Sequence, residues 1–156
     1  MGTFAGTVFA GAAFENVALG VGFGLGFMVG GPVRFALSAR ASGPIDYSGD
    51  FALQVDVDAG LRVLIDAGSL TPHFFLLADY GRGWEFEGDN TYEYNLYQAR
   101  IGGGILFGNG RVRKGFEVGV HIGKRVHANT DENPWGEDYS SDGATFAGSI
   151  RFVLTL

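Results

Sequence analysis

The feature that most limits what this chain can become is a period of two in its apolar residues, repeated from one end to the other. Over 51–65, Phe51, Leu53, Val55, Val57, Ala59, Leu61, Val63 and Ile65 alternate with Ala52, Gln54, Asp56, Asp58, Gly60, Arg62 and Leu64. Successive strand residues point to opposite faces, so the pattern predicts a strand with one apolar and one mixed or polar face. The same alternation marks segments at about 3–14, 17–29, 33–41, 51–65, 72–86, 94–107, 112–126 and 144–156. Together they predict one all-β domain over 1–156. In VALGVGFGLGF, residues 17–27, a hydropathy scan flags a membrane helix. The uncharged run ends at Val33, short of the ~18–20 residues a spanning helix needs, and its glycines and Pro32 are poor helix material.

Connection lengths alternate as well. Glu15-Asn16 is short, but 42–50, 87–93 and 127–143 (HANTDENPWGEDYSSDG) each exceed the connection that follows or precedes them, namely 30–32, 66–71 and 108–111. Short turns at one end and longer loops at the other are the asymmetry of an outer-membrane barrel. The expected fold is an eight-stranded antiparallel closed transmembrane β-barrel, an up-and-down meander.

Composition decides which face is inside. Hydrophobic residues make up 46% of the 156 positions and glycine accounts for 27, while lysine occurs only at 114 and 124. An inward apolar face would overfill an eight-stranded lumen that barely holds its own side chains. The outside would then be glycine with a few charges, unlike a soluble surface. Turned outward, the apolar face meets lipid, ~9–11 tilted residues per strand match the bilayer, and closure leaves no unpaired edge.

Aromatic residues gather near the segment ends. Tyr47, Phe51, Trp84, Phe86, Tyr92, Tyr94, Trp135 and Tyr139 lie on the loop side, and Phe4, Phe27, Phe35, Phe74, Phe107 and Phe152 on the turn side, as two interfacial girdles. A two-residue Asn109-Gly110 turn predicts pairs summing to 219, with Arg100 facing Gly119, Glu117 facing Gly102 and Gln98 facing His121. A Glu15-Asn16 turn likewise sets Phe9 against Gly22 and Phe4 against Phe27. The glycines of segments one and two leave that wall almost free of side chains, as space for the long residues of the other six strands.

The terminal GSIRFVLTL and the stretch TPHFFLLADYGRGWEF resemble strands of small eight-stranded outer-membrane proteins of the OmpX/Ail, opacity-protein and OmpA transmembrane-domain type. Members typically end in Phe, where this chain ends in Leu156. The resemblance implies a bacterial outer-membrane location, with loops 42–50, 87–93 and 127–143 extracellular and both termini periplasmic. It also implies a monomer that meets lipid and lipopolysaccharide and is inserted by the barrel-assembly machinery.

The inward face is expected to carry Arg34, Arg40, Arg62, Arg100, Arg125 and Arg151 against Asp56, Asp58, Asp79 and Glu117, with Gln54, Gln98 and His121. Charges held away from water need partners, so these predict a salt-bridged, filled lumen. A narrow ion path or small-ligand conduit, in a natural or a designed or reconstructed barrel, is the alternative. A lipid A-modifying enzyme is the second alternative. No His-x-Ser of the lipid A deacylase kind occurs, since His121 precedes Ile122-Gly123 and His127 precedes Ala128-Asn129. Asp56 and Asp58 read as a salt-bridge pair beside Arg62 rather than as metal ligands. No cofactor, metal or catalytic residue is expected.

The net charge of −6 excludes a nucleic-acid partner, because no basic face exists to meet phosphates. Without cysteine there is no disulfide framework and no thiol chemistry. Met1 and Gly2 lead directly into strand-like sequence, with no basic n-region or cleavage site. Residues 85–93 and 127–143 hold Glu85, Glu87, Asp89, Glu93, Asp131, Glu132, Glu137, Asp138 and Asp142 without Lys or Arg. They read as a solvated acidic surface, with cation binding or a basic partner as the functional alternative.

Overall fold

The alternating segments form eight strands in a computed structural model that describes residues 3–15, 18–45, 51–87, 90–110, 112–127 and 143–156. They are β1 (Thr3–Glu15), β2 (Ala18–Gly30), β3 (Val33–Ile45), β4 (Phe51–Leu64), β5 (Leu70–Glu87), β6 (Asn90–Phe107), β7 (Arg113–His127) and β8 (Gly143–Thr155). Each pairs antiparallel with its sequence neighbour, and β8 returns to β1, closing the barrel. Closure is completed at the turn end by reciprocal bonds between Gly6 and Leu156, N to O at 3.1 and 2.9 Å.

The wall is inverted relative to a soluble barrel. Large apolar side chains such as Phe23, Leu25, Phe74, Ile101, Ile122 and Phe146 are exposed on the outside, while Asp56, Asp58, Arg100 and Glu117 are buried within. The period-two pattern therefore has the outward apolar face that composition demanded. The lumen also holds apolar packing: Met28, Ala36, Phe75 and Leu77 form one cluster, and Phe9, Leu106 and Val153 a second.

Two registers differ from expectation by two residues. β6 and β7 pair with sums of 221, so Arg100 faces His121, Gly104 faces Glu117 and Gln98 faces Gly123. The cause lies in the turn. Gly108 and Gly110 take positive φ values of 130° and 94° there, while Gly108 N donates to Ser69 O at 3.0 Å as a continuation of the β5–β6 pairing. The last pair is then Phe107 with Lys114. In β1–β2 the ladder continues through Glu15 opposite Ala18, which a turn at Glu15-Asn16 forbids. Phe9 therefore faces Gly24, and Phe4 faces Val29 while its ring stacks on Phe27 at 5.8 Å. A shift of two preserves every side chain's face, which is why the hydrophobic pattern alone does not detect it.

Two expected loops are shorter than the composition suggested. β3 runs to Ile45, so the loop expected at 42–50 gives up Ser42, Gly43, Pro44 and Ile45 to strand pairing. β5 and β6 are each 18 residues long and pair out to Glu87 with Asn90, which converts most of the polar 87–93 stretch into strand. Opposite-charge and aromatic cross-strand pairs there outweigh the loop-like composition. Most of the long connection expected at 127–143, with Trp135 and Tyr139, and the expected girdle residue Tyr47 lie outside the described residues.

Candidate functional site: the ion-paired lumen

Alternate residues of β3 to β8 deliver their polar side chains to one enclosed space, and these sort into four groups along the barrel. Near the turn end, Glu117 of β7 is the hub. Its carboxylate accepts hydrogen bonds from Arg62 of β4 and Arg151 of β8, and pairs with Nε2 of His73 of β5 at 2.9 Å. Four strands are tied through one carboxylate.

Further along, two aspartates of β4 organise the centre. Asp58 accepts Ser38 Oγ at 2.6 Å and Arg100 Nη2 at 2.9 Å. Asp56 accepts Arg40 Nε at 2.8 Å and Gln54 Nε2 at 2.6 Å. Arg40 also reaches Asp79 of β5 at 3.4 Å. Each aspartate thus engages an arginine, Arg100 at Asp58 and Arg40 at Asp56, whereas Arg62, expected beside them, goes to Glu117. Buried ionised groups require such charge-assisted partners, because desolvation costs more than one imperfect contact returns.

A third group links β6, β7 and β8. Gln98 Nε2 donates to Thr145 Oγ1 at 3.1 Å, while its Oε1 meets His121 Nδ1 at 3.3 Å. His121 Nε2 then shares a hydrogen bond with Ser149 Oγ at 2.8 Å. The fourth group closes the hairpin end: Tyr94 OH donates to Gln54 Oε1 at 3.1 Å, and Arg125 pairs with Glu85 at 2.7 Å beneath the Tyr94 ring.

Not every expected lumen residue enters the central network. Arg34 lies at the turn end, donating Nε to Gly31 O at 3.2 Å. Arg125 sits at the opposite rim, half-buried on Glu85. The inward formal charges away from the rims are Arg40, Arg62, Arg100 and Arg151 against Asp56, Asp58, Asp79 and Glu117, with Arg40 partly exposed, an equal number of each sign among the described residues. The formal charges of this set cancel.

Pattern reading missed His73, Ser38, Thr145 and Ser149, and also the aromatic residues inside the lumen. The Phe75 ring lies 5.1 Å from the Arg62 guanidinium, 5.5 Å from Arg100 and 5.7 Å from Arg151, and Phe9 lies 4.7 Å from Arg151. Each arginine can bond a carboxylate in its plane while stacking on a π-face. Tyr94, expected in the outer girdle, is buried in the lumen. Parity was the available signal: Phe9 and Phe75 share the face of Gly11 and Asp79, and Tyr94 that of Gln98.

The glycine-lined wall is correspondingly less bare than expected. A Cβ on Gly24 would lie 2.5 Å from Phe9 Cζ, one on Gly102 2.6 Å from Phe75 Cζ, and one on Gly11 2.7 Å from Arg151 Cγ. The missing side chains make room for two aromatic rings as well as for an arginine stem. Gly119, expected to face Arg100, borders Phe75 instead. At the turn end, a recess lined by Met28, Arg62, Leu64, His73, Leu106 and Glu117 is too narrow to admit a water-sized sphere.

The acidic stretch read as free of cations also finds partners. Arg82 pairs with Glu93, and Trp84 Nε1 donates to Glu93 at 3.3 Å, on the outer face of β5–β6. Among the described residues, no group of three or more His, Cys, Asp or Glu is placed to hold a metal ion.

No protein-family model and no curated protein matches the chain by sequence. Solved structures do match by fold. Neisserial surface protein A aligns over 100% of this chain and 98% of its own, at 8% identity and a TM-score of 0.69. The N-terminal β-barrel domain of Pseudomonas aeruginosa OprF covers 100% of both chains at 13% identity and 0.60. The outer membrane enzyme PagL covers 94% and 97% at 15% identity and 0.54. This chain has the fold of the small eight-stranded outer-membrane barrels.

Proposed function

We propose that the chain is a bacterial outer-membrane barrel with a closed, ion-paired lumen, serving a structural or cell-surface interaction role rather than catalysis. The observation that carries this reading is the outer wall of β7. Lys114 is followed on that face by exposed Phe116, Val118, Val120 and Ile122, and then by Lys124. Ten strand residues advance about 33 Å, and at a tilt of roughly 40° the two lysines stand about 25 Å apart along the barrel axis, the height of a transmembrane apolar band. In this reading the loops at 42–50, 87–93 and 127–143 face outward, the termini and short turns face the periplasm, and the monomer meets lipid and lipopolysaccharide after insertion by the barrel-assembly machinery. Refolding in detergent tests it: unheated protein migrates differently from heated protein on a denaturing gel, and planar bilayers show no discrete conductance steps. Unchanged mobility together with solubility in plain buffer overturns the membrane reading, and discrete steps overturn the closed lumen.

One observation favours a lipid-modifying enzyme instead. Ser149 Oγ lies 2.8 Å from His121 Nε2, the nucleophile–base arrangement of serine hydrolases, and PagL is described as an outer membrane enzyme. Against it, Ser149 and His121 are buried, and the group behind the imidazole is the neutral amide of Gln98. An inward packing role fits this burial better. Mass spectrometry of lipid A from expressing cells decides, since a change in acylation or headgroup overturns the non-catalytic reading.

A further inference from the structure

Asp58 and Asp79 stand directly opposite each other on β4 and β5, and both are buried in the lumen. Like charges in that position repel unless donors separate them. The donors are unequally shared. Asp58 accepts from Ser38 at 2.6 Å and from Arg100 at 2.9 Å. Asp79 has one contact, at 3.4 Å, between its Oδ2 and Arg40, and its Oδ1 is buried without a hydrogen-bond partner among the described residues. A single long contact does not offset the desolvation of a carboxylate.

Suitable donors lie beside it. Arg100 starts on β6, opposite Leu77 of β5, and its side chain crosses β5 to reach Asp58 on β4. Its guanidinium is therefore held at the carboxylate next to Asp79, and it is fully buried. Nη2 is used by Asp58, but Nε and Nη1 have no hydrogen-bond partner. Arg100 pairs with Asp58 and not with Asp79, so an acceptor and two donors are left unsatisfied on neighbouring buried charges. An anion placed between them would meet two aspartates, and a cation would meet the guanidinium. A small neutral molecule that both donates and accepts satisfies the two sides together. Water is the smallest such molecule, and bridging two polar groups too far apart for direct contact is its usual role.

We propose that the lumen binds a water molecule between Asp79 Oδ1 and the free N–H groups of Arg100. It joins the Asp58–Arg100 pair to the Asp56–Arg40–Asp79 group, making one network across β3 to β6. This rests on the closed lumen proposed above. The barrel is refolded in detergent and crystallised, and an ordered water is expected within hydrogen-bond distance of Asp79 Oδ1 and of Arg100 Nε or Nη1. In solution, with isotope-labelled arginine, the Arg100 Nε–H gives a nuclear Overhauser cross-peak to a long-lived water. Asp79→Asn keeps an acceptor oxygen and keeps the cross-peak. Asp79→Leu fills the gap with methyl groups and loses it. A crystal structure with no water bridging the two groups, loss of the cross-peak in D79N, or an undiminished cross-peak in folded D79L overturns the site. If D79L does not refold, the crystal structure and D79N decide. Discrete conductance steps from the wild-type chain overturn the closed lumen instead, so the two failures are distinct.

Discussion

Arg62 of β4 and Glu117 of β7 meet across the lumen through both Nη atoms, joining strands that lie three apart around the barrel. Because Glu117 also accepts Arg151 and pairs with His73, it compensates more than one buried charge. Glu117→Gln keeps the shape but leaves guanidinium groups unneutralised, and is expected to cost about 3–5 kcal/mol. Urea unfolding from lipid vesicles, followed by tryptophan fluorescence, measures it. The triple replacement E117L/R62M/R151M is expected to lose less than the single variant, because it removes the charges together. A single variant as stable as wild type would mean that Glu117 is not the hub.

Phe75 is the apolar counterpart of that hub. Phe75→Ala removes a buried ring stacked by three arginines and is expected to cost about 3–5 kcal/mol. Gly102→Ala would bring a Cβ hard against the Val118 carbonyl oxygen, its nearest neighbour, and to 2.6 Å from Phe75 Cζ, and overpacking of this kind costs ~1–3 kcal/mol. The two substitutions share a neighbour, so their effects should combine non-additively in a double-mutant cycle. Strict additivity would place the strain of Gly102→Ala on the Val118 backbone alone.

Parity was legible in the sequence because it depends only on alternation: the apolar residues of 51–65 name their face without any register. Register was not, because it is decided at the turns, and the shift of two in β6–β7 leaves every face unchanged. The polar lumen was largely legible for a similar reason. Arg100 and Asp58 have no low-energy alternative on a lipid-facing wall, and they meet inside. Phe9, Phe75 and Tyr94 were less legible, since an aromatic residue is at home on either face, and only the glycines opposite them record that an inward ring needs space. The extent of β5 and β6 was hidden by composition. Glu85, Glu87, Asp89 and Glu93 read as loop, while Arg125, the partner of Glu85, and Arg82, the partner of Glu93, lie outside that stretch.

His121 and Ser149 give a prediction that separates packing from chemistry. Ser149→Ala leaves His121 Nε2 without its partner in a buried setting, and is expected to cost about 1–3 kcal/mol. Lipid A from cells expressing the variant should have the same mass distribution as lipid A from cells expressing the wild-type chain. A difference between the two that tracks Ser149 would assign the hydroxyl a chemical role and overturn the non-catalytic reading.

The outer wall offers the sharpest contrast with a soluble barrel. Val118 lies midway between Lys114 and Lys124 on β7 and is exposed. In water, arginine at an exposed strand position changes stability within about ±0.5 kcal/mol. At the midplane of a bilayer the same substitution costs about 2–4 kcal/mol. Val118→Arg should therefore lower the unfolding free energy in lipid vesicles by the larger amount. An arginine at Ile122, one alternation from Lys124, should cost less because its guanidinium can reach the interface. Reversible unfolding of the two variants in vesicles of one composition measures the difference. Equal, small effects at both positions would mean that this apolar wall does not face lipid.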